Sequence, residues 1–281
     1  MNAKHFAVTG LALLALLGTS CNKLKSRDEL NKGTAAFKSA KYPEAIEHFK
    51  TAINLEPTYT MARLYLATAY MSQYIPGADS QENQQNAQAA NDQFLKVLEQ
   101  DPNGSLATLA VNDLASLHYS ESQGAQGLDA KLQKLAEAEK WYTKLVEMDP
   151  NNKEAYYSLA VIIWAKWYPK LTEARAKLGM KPEDPGPIKD KKIKEELKTT
   201  YGPMIEDGIK KLQKALDIDP QYDDAMAYMN LLIRERADLE DTSAEYKKDV
   251  DTADSWVQKA LETKKIKAEK AAQKANGITA N

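Results

Sequence analysis

Cysteine is all but missing: Cys21 is the only one in 281 residues. That excludes an intrachain disulfide and leaves too few thiolates for a cysteine-ligated zinc site. Histidine is nearly as scarce, with His5, His48 and His118 far apart in the chain. Glycine and proline number 12 and 11 and cluster at a few places. That distribution suits long helices joined by localised turns. Neither sign of charge is in surplus, since 38 Lys and Arg face 40 Asp and Glu. A domain-wide cationic surface for nucleic-acid phosphates is therefore lacking. Beyond the N-terminus, no stretch approaches the roughly 18 apolar residues that a membrane-spanning helix needs.

Chemical motifs are absent too. The chain has no Gly-rich phosphate loop, no G-x-S-x-G and no H-E-x-x-H. Acidic pairs such as Glu195–Glu196 and Asp223–Asp224 are consecutive. On a helix their side chains diverge by about 100° and do not converge on one substrate. Asp149-Pro150-Asn151-Asn152 has the oxygens of a calcium loop but lacks its glycine and distal glutamate. It reads as a helix end followed by a cap for the next helix. Ser26 with Glu29 reads as a capping box. No catalytic residue, metal ligand or cofactor is predicted, and the chain is read as non-enzymatic.

What the N-terminus contains is an address. Lys4 precedes a 12-residue apolar run, Phe6 to Leu17, too short to span a bilayer. Small residues follow, Gly18, Thr19 and Ser20, and then Cys21. This arrangement resembles the lipobox of bacterial lipoproteins. Gly18 stands where that family prefers Leu. The resemblance implies removal of residues 1–20, lipidation of Cys21 and a membrane anchor. Asn22, which is not Asp, implies the outer membrane, facing the periplasm. An ordinary signal cut near Ser20 is the other reading. It would leave a free thiol and a secreted periplasmic protein.

The rest of the chain repeats itself. Asn54-Leu55-Glu56-Pro57, Glu99-Gln100-Asp101-Pro102, Glu147-Met148-Asp149-Pro150 and Asp217-Ile218-Asp219-Pro220 each close an apolar-periodic stretch. Proline cannot continue a helix, so each marks a helix end. Before each proline stands the same stripe: Ala45, Phe49, Ala52; Ala90, Phe94, Val97; Ala138, Tyr142, Leu145; Gly208, Leu212, Ala215. A fifth, Ala253, Val257, Ala260, has no proline after it. Spacings of four and three put small, large and small side chains on one helical face. After the prolines a second pattern recurs: Arg63, Leu66, Ala67, Tyr70; Tyr156, Leu159, Ala160, Ile163; Met226, Met229, Asn230, Ile233.

Together the two patterns resemble the tetratricopeptide repeat, W-x2-L-G-x2-Y, then A-x3-F, then P. In the first unit only Gly33 and Phe37 match the first half, and in the third Asn112 takes the small-residue place. The resemblance implies an all-α, TPR-type solenoid, a right-handed superhelix of about five helix–turn–helix units. The array covers 26–263, with units 26–59, 60–104, 105–152, 153–222 and 223–263. Residues 21–25 form a short tether and 264–281 a Lys- and Ala-rich tail. The prolines lie 45, 48 and 70 residues apart, against a repeat of about 34. The excess falls between helix A and helix B, near 75–87, 119–132 and 169–203. Some of it reads as longer helices, since Glu82–Leu98 and Asp129–Met148 look continuous. The largest insertion, 169–203, carries short helical stretches at 171–178 and 189–199. It is either a functional lid or a packed decoration. The tail run from Lys259 to Lys274 reads as a solvated helix end, or as a surface for anionic lipid or an acidic partner.

In the family, helix A lines a concave groove that holds a peptide or a partner helix. Carried over, that implies Leu64, Thr68 and Met71; Leu109, Asp113 and Ser116; Tyr157, Val161 and Trp164; Ala227, Leu231 and Arg234. Of these, Leu64, Met71, Tyr157, Val161, Trp164, Leu231 and Arg234 are the partner-groove candidates. The Lys, Arg and Asn clamp of the peptide-tail-binding class is represented only by Arg234. The layout resembles envelope tetratricopeptide lipoproteins, and it implies a lipid-anchored adaptor for other envelope proteins or peptides. The alternative is a small-ligand-binding lipoprotein whose aromatic groove is covered by 169–203. Tyr157 and Trp164 packing against that insertion, and so filling the groove, is the structural counterpart.

Overall fold

The computed structural model describes residues 3–181 and 184–275, with side chains for 21–181 and 184–273. Among the described residues there are ten helices and no strand. They are α1 (Ala3–Lys38), α2 (Tyr42–Leu55), α3 (Thr60–Met71), α4 (Gln81–Gln100) and α5 (Ser105–Gly124). Then come α6 (Leu128–Met148), α7 (Lys153–Lys177), α8 (Lys191–Ile218), α9 (Asp223–Ala237) and α10 (Ser243–Ala275). Two compact units divide the chain, Met1–Trp141 and Tyr142–Asn281, with the boundary inside α6.

In the first unit α1 pairs with α2 and α3 with α4, and the A-type helices α1, α3 and α5 touch in sequence. The stripes read from sequence form the core. Ala45, Phe49, Ala52, Ala90, Phe94 and Val97 are all fully buried. Each buried phenylalanine removes enough apolar surface to stabilise by roughly 1.5–3 kcal/mol. Phe49 fits because its opposite number has no side chain: a Cβ at Gly33 would lie 2.5 Å from the Phe49 ring. Phe49 in turn stacks on Tyr65, with ring centroids 5.6 Å apart.

Ser26 is not a cap, because α1 runs through it. Its buried hydroxyl donates to the Ala52 carbonyl on α2 at 2.8 Å, while Glu29 engages Lys32 and His48. Residues 21–25 also continue α1 with exposed side chains. Helical propagation adds one hydrogen bond per residue and needs no capping signal there. The side chains of 1–20, where the signal sequence was read, lie outside the described residues. No described helix is long and apolar enough to cross a membrane.

In the second unit α7 pairs with α8, α8 meets α9, α9 pairs with α10, and the A-type helices α7 and α9 touch. Gly208 repeats the device of Gly33: a Cβ there would lie 2.8 Å from Leu232 and 3.0 Å from Ile163. Asn152 caps α7 by accepting from the Ala155 N–H at 2.9 Å. Asp190 caps α8 in the same way, through the Ile193 N–H.

The long insertion differs from its sequence reading. Instead of short helices bounded by prolines, α7 and α8 both run through, with Pro169 and Pro203 inside them. An interior proline costs a helix about 3 kcal/mol. Packing on the extended hairpin outweighs it. Trp167 and Ile205 are fully buried, Leu171 and Leu197 nearly so, and Trp167 meets Tyr201 across the hairpin at 5.4 Å. The excess length is thus mostly lengthened helix, as it is in α4 and α6. What remains irregular among the described residues is 178–181 and 184–190. Pro182 of that segment lies outside the described residues, as do residues 276–281 of the tail. The described tail is an exposed extension of α10, from which Lys267 and Lys264 reach Asp223 on α9.

Candidate functional site

Helices α7 and α9 present one aromatic face. Tyr157, Trp164 and Tyr168 recur on α7 at spacings of seven and four, so they stack along one side. Tyr228 on α9 meets them edge-on, with centroids 5.6 Å from Trp164 and 5.5 Å from Tyr157. Trp164 and Tyr168 stack at 5.0 Å with 19° between their planes. Tyr222 closes the row against Tyr157 at 5.2 Å. These rings are half-buried, and Tyr168 is the most open at 37% exposure.

Behind the rings sits Glu235. Its Oε1 accepts from the Trp164 indole N–H at 2.8 Å. Its Oε2 is buried without a hydrogen-bond partner, as is Nε1 of Trp167. Burial pushes the carboxyl up to about 8, against the opposing pull of the two indoles, and Asp238 adds to the rise.

Beside Glu235 lies a cavity of about 490 Å³. Tyr168 and Thr172 of α7, Pro185 and Gly186 of the insertion, and Leu231 and Glu235 of α9 are among its walls. The insertion wall is fastened from three sides. Arg175 of α7 donates to the carbonyls of Lys181 and Asp184 and pairs with Asp238. Ile188 N–H donates to the Asp238 carbonyl at 2.9 Å. Gly186 N–H donates to the Tyr246 hydroxyl of α10 at 3.0 Å. Both Arg175 and Asp238 are 6% exposed. Burial raises the Asp238 carboxyl even with Arg175 pulling the other way.

The groove candidates fare unequally. Tyr157 and Trp164 belong to the aromatic face, and Leu231 and Arg234 line the cavity. Arg234 bonds Asn230 and pairs with Asp254. Val161, at 5% exposure, is a core residue and no groove anchor. Leu64, at 7%, is another: it packs in the cluster that holds Ala90, Phe94 and Leu114. Met71 packs half-buried on the same cluster. Thr68 meets Asp113 at 3.4 Å, and burial raises that carboxyl. Leu109 is 52% exposed. None of the first unit's groove candidates is aromatic.

Sequence reading missed Tyr168, Tyr228 and Glu235. Tyr168 stands directly before Pro169, where the sequence reads as a helix end, and the aromatic stripe read from it goes only as far as Trp164. Tyr228, Leu231 and Glu235 follow spacings of three and four on α9, a signal that was there to find. Cys21 lies exposed on α1. Among the described residues, no three His, Cys, Asp or Glu converge as a metal site.

The fold and this face define a helical-repeat protein built of paired antiparallel helices with A-type helices side by side. Residues 30–105 match the family model of the tetratricopeptide repeat, and solved structures of the same architecture align along most of the chain. One is MamA, residues 41 to the end, from Desulfovibrio magneticus RS-1. It has 17% identity and a TM-score of 0.54, over 86% of this chain and 96% of that one. A crystal structure of MamA protein aligns with 15% identity and a TM-score of 0.50, over 87% and 94%. At such identities the likeness is one of fold. No curated protein sequence matches.

Proposed function

We propose that this chain is a non-catalytic, lipid-anchored scaffold of the bacterial cell envelope that docks other envelope proteins. Protein binding is carried by the aromatic face of Tyr157, Trp164, Tyr168 and Tyr228 on α7 and α9. Tetratricopeptide arrays use helix A surfaces to hold protein segments, and large aromatics are frequent interface anchors. The membrane assignment rests on the sequence around Cys21, with an outer-membrane lipoprotein facing the periplasm as the reading adopted. A photo-crosslinking residue at Tyr168 should capture one or a few envelope proteins in intact cells. A uniformly empty result there and at Trp164 overturns the docking reading. Cys21→Ala should move the protein from the membrane to the soluble fraction. If it stays, the anchor is wrong. If the natural chain is already soluble, the secreted periplasmic alternative takes over.

A second reading is favoured by one observation. The cavity beside Glu235 is within the size range of small-ligand sites, and the insertion forms one of its walls. The protein would then bind a solute there.

A further inference from the structure

The charges around the cavity do not balance. Four charged side chains of its walls or neighbourhood are already matched in pairs: Arg175 with Asp238, and Arg234 with Asp254. Two wall carboxyls are left over, Asp184 and Glu235. Among the described residues neither has an ion pair. Asp184 uses one oxygen to accept from the Lys181 N–H at 2.7 Å. Glu235 has only indoles beside it: Trp164 donates to one oxygen, and Trp167 pulls on the carboxyl without a formed hydrogen bond.

Three other acids of this unit are treated differently. Asp249 takes two bonds from Arg236 at 2.8 Å each. Asp219 takes Lys153, and Asp223 takes Lys267. A buried carboxyl without a cation is costly to ionise. At Glu235 the cost is left standing, next to open space and beside the electron-rich face of Tyr168, which Trp164 backs. An acid and an aromatic face around a cavity are what an alkylammonium or guanidinium group needs: a counter-charge and a π-surface for its apolar stem.

We propose that the cavity between α7, α9 and the insertion binds an organic cation, a primary amine or guanidinium on an apolar stem, with Glu235 as its counter-ion and Tyr168 as its π-surface. The stem would lie along Leu171 and Leu231. The cation comes either from a free solute or from a Lys or Arg side chain of a docked protein, and the chemistry is the same. This inference rests on the small-ligand reading of the cavity and adds the class of ligand.

The test uses the full chain and three probes of one shape and different charge: 2-phenylethylamine, 2-phenylethanol and 3-phenylpropionate. The amine should raise the melting temperature by about 3 °C at roughly tenfold excess over its Kd. The alcohol and the acid should not. Glu235→Gln should abolish the amine shift with the circular dichroism unchanged, and Leu231→Trp should abolish it by filling the space.

One measurement needs no variant. The charged groups facing Glu235 are Arg234 and Asp238 on α9, Arg175 on α7 and Asp184 in the insertion, with Tyr246 on α10. With its carboxyl at about 8, Glu235 is mostly protonated at neutral pH. A bound cation should therefore expel close to one proton. Calorimetry in two buffers of different ionisation heat reads this directly. Amine binding without proton release overturns the assignment of Glu235, whether or not Glu235→Gln folds.

If the alcohol or the acid shifts the melting temperature as much as the amine, the cation class is wrong and the small-ligand reading stands. If none of the three does, both fall. The two sources are separated by an N-acetylated, C-amidated peptide with one lysine and its norleucine counterpart. Tighter binding of the lysine peptide than of the free amine assigns the site to a partner's side chain. Binding of the free amine alone assigns it to a solute.

Discussion

Trp164 donates its indole N–H to Glu235 at 2.8 Å, across 71 positions of sequence. The bond ties one A-type helix, α7, to the next, α9, and it holds a carboxyl away from water. Because burial raises this carboxyl to about 8 from an ordinary 4.5, the folded chain binds a proton that the unfolded chain releases. The associated stability is fully present below about pH 4.5 and is lost as pH rises through 8. Its full size is on the order of 5 kcal/mol. Glu235→Gln should remove this dependence. Melting temperature against pH should be flatter between 5 and 8.5 than for the natural chain, and the variant should be the more stable of the two at pH 9. Parallel curves would show that Glu235 ionises without hindrance.

The fold was legible in the sequence where periodicity and packing agree. The stripe Ala45, Phe49, Ala52 and its counterparts are core because small and large residues at spacings of four and three leave one way to pack two helices. The local signals were weaker guides. Pro169 and Pro203 read as boundaries, yet α7 and α8 bury enough around Trp167 and Ile205 that the helices run through. Ser26 read as a cap because a sequence window does not show that α1 continues upstream. The site was half legible. Tyr157, Trp164 and Leu231 followed from the resemblance to the repeat family. Whether Glu235 meets a cation depends on which side chains fold against it, and no one-dimensional pattern records that.

Gly33 is a case where a backbone-level gain loses to packing. In an exposed helix Gly→Ala stabilises by up to about 1 kcal/mol. At Gly33 the added Cβ meets the Phe49 ring at 2.5 Å, and Phe49 is fully buried and stacked on Tyr65. Overpacking of this kind costs roughly 1–3 kcal/mol, so Gly33→Ala should destabilise in urea unfolding. Phe49→Leu alone should also destabilise. The double variant should be more stable than the sum of the two losses implies, because the smaller side chain yields the space the new methyl needs. Strict additivity would mean that the two residues do not compete for it.

Asn152 offers a test of a single cap. Its side chain accepts from the Ala155 N–H at 2.9 Å and starts α7, the helix that carries the aromatic face. Asn152→Ala should cost about 1 kcal/mol. Asn152→Asp should be close to neutral, since it keeps an acceptor at a helix N-terminus. Equal losses in both variants would assign the effect to something other than the cap.

The pair of Arg175 and Asp238 should be harsher to break than to replace. Asp238 is nearly buried, and the guanidinium beside it also holds the carbonyls of Lys181 and Asp184. Asp238→Ala strands a buried cation, and such single deletions cost roughly 3–5 kcal/mol. It also leaves the backbone bond from Ile188 to the residue-238 carbonyl available, so the loss should be one of charge and not of chain connection. Arg175→Met strands an acid that burial has already pushed upward; it escapes by taking a proton. That variant should cost less at pH 5 than at pH 8, whereas Asp238→Ala should cost nearly the same at both. Hydrogen exchange should rise in 184–190 for Arg175→Met, because its bonds to the insertion are lost. If instead both variants respond identically to pH, the carboxyl of Asp238 is not the group that burial strains.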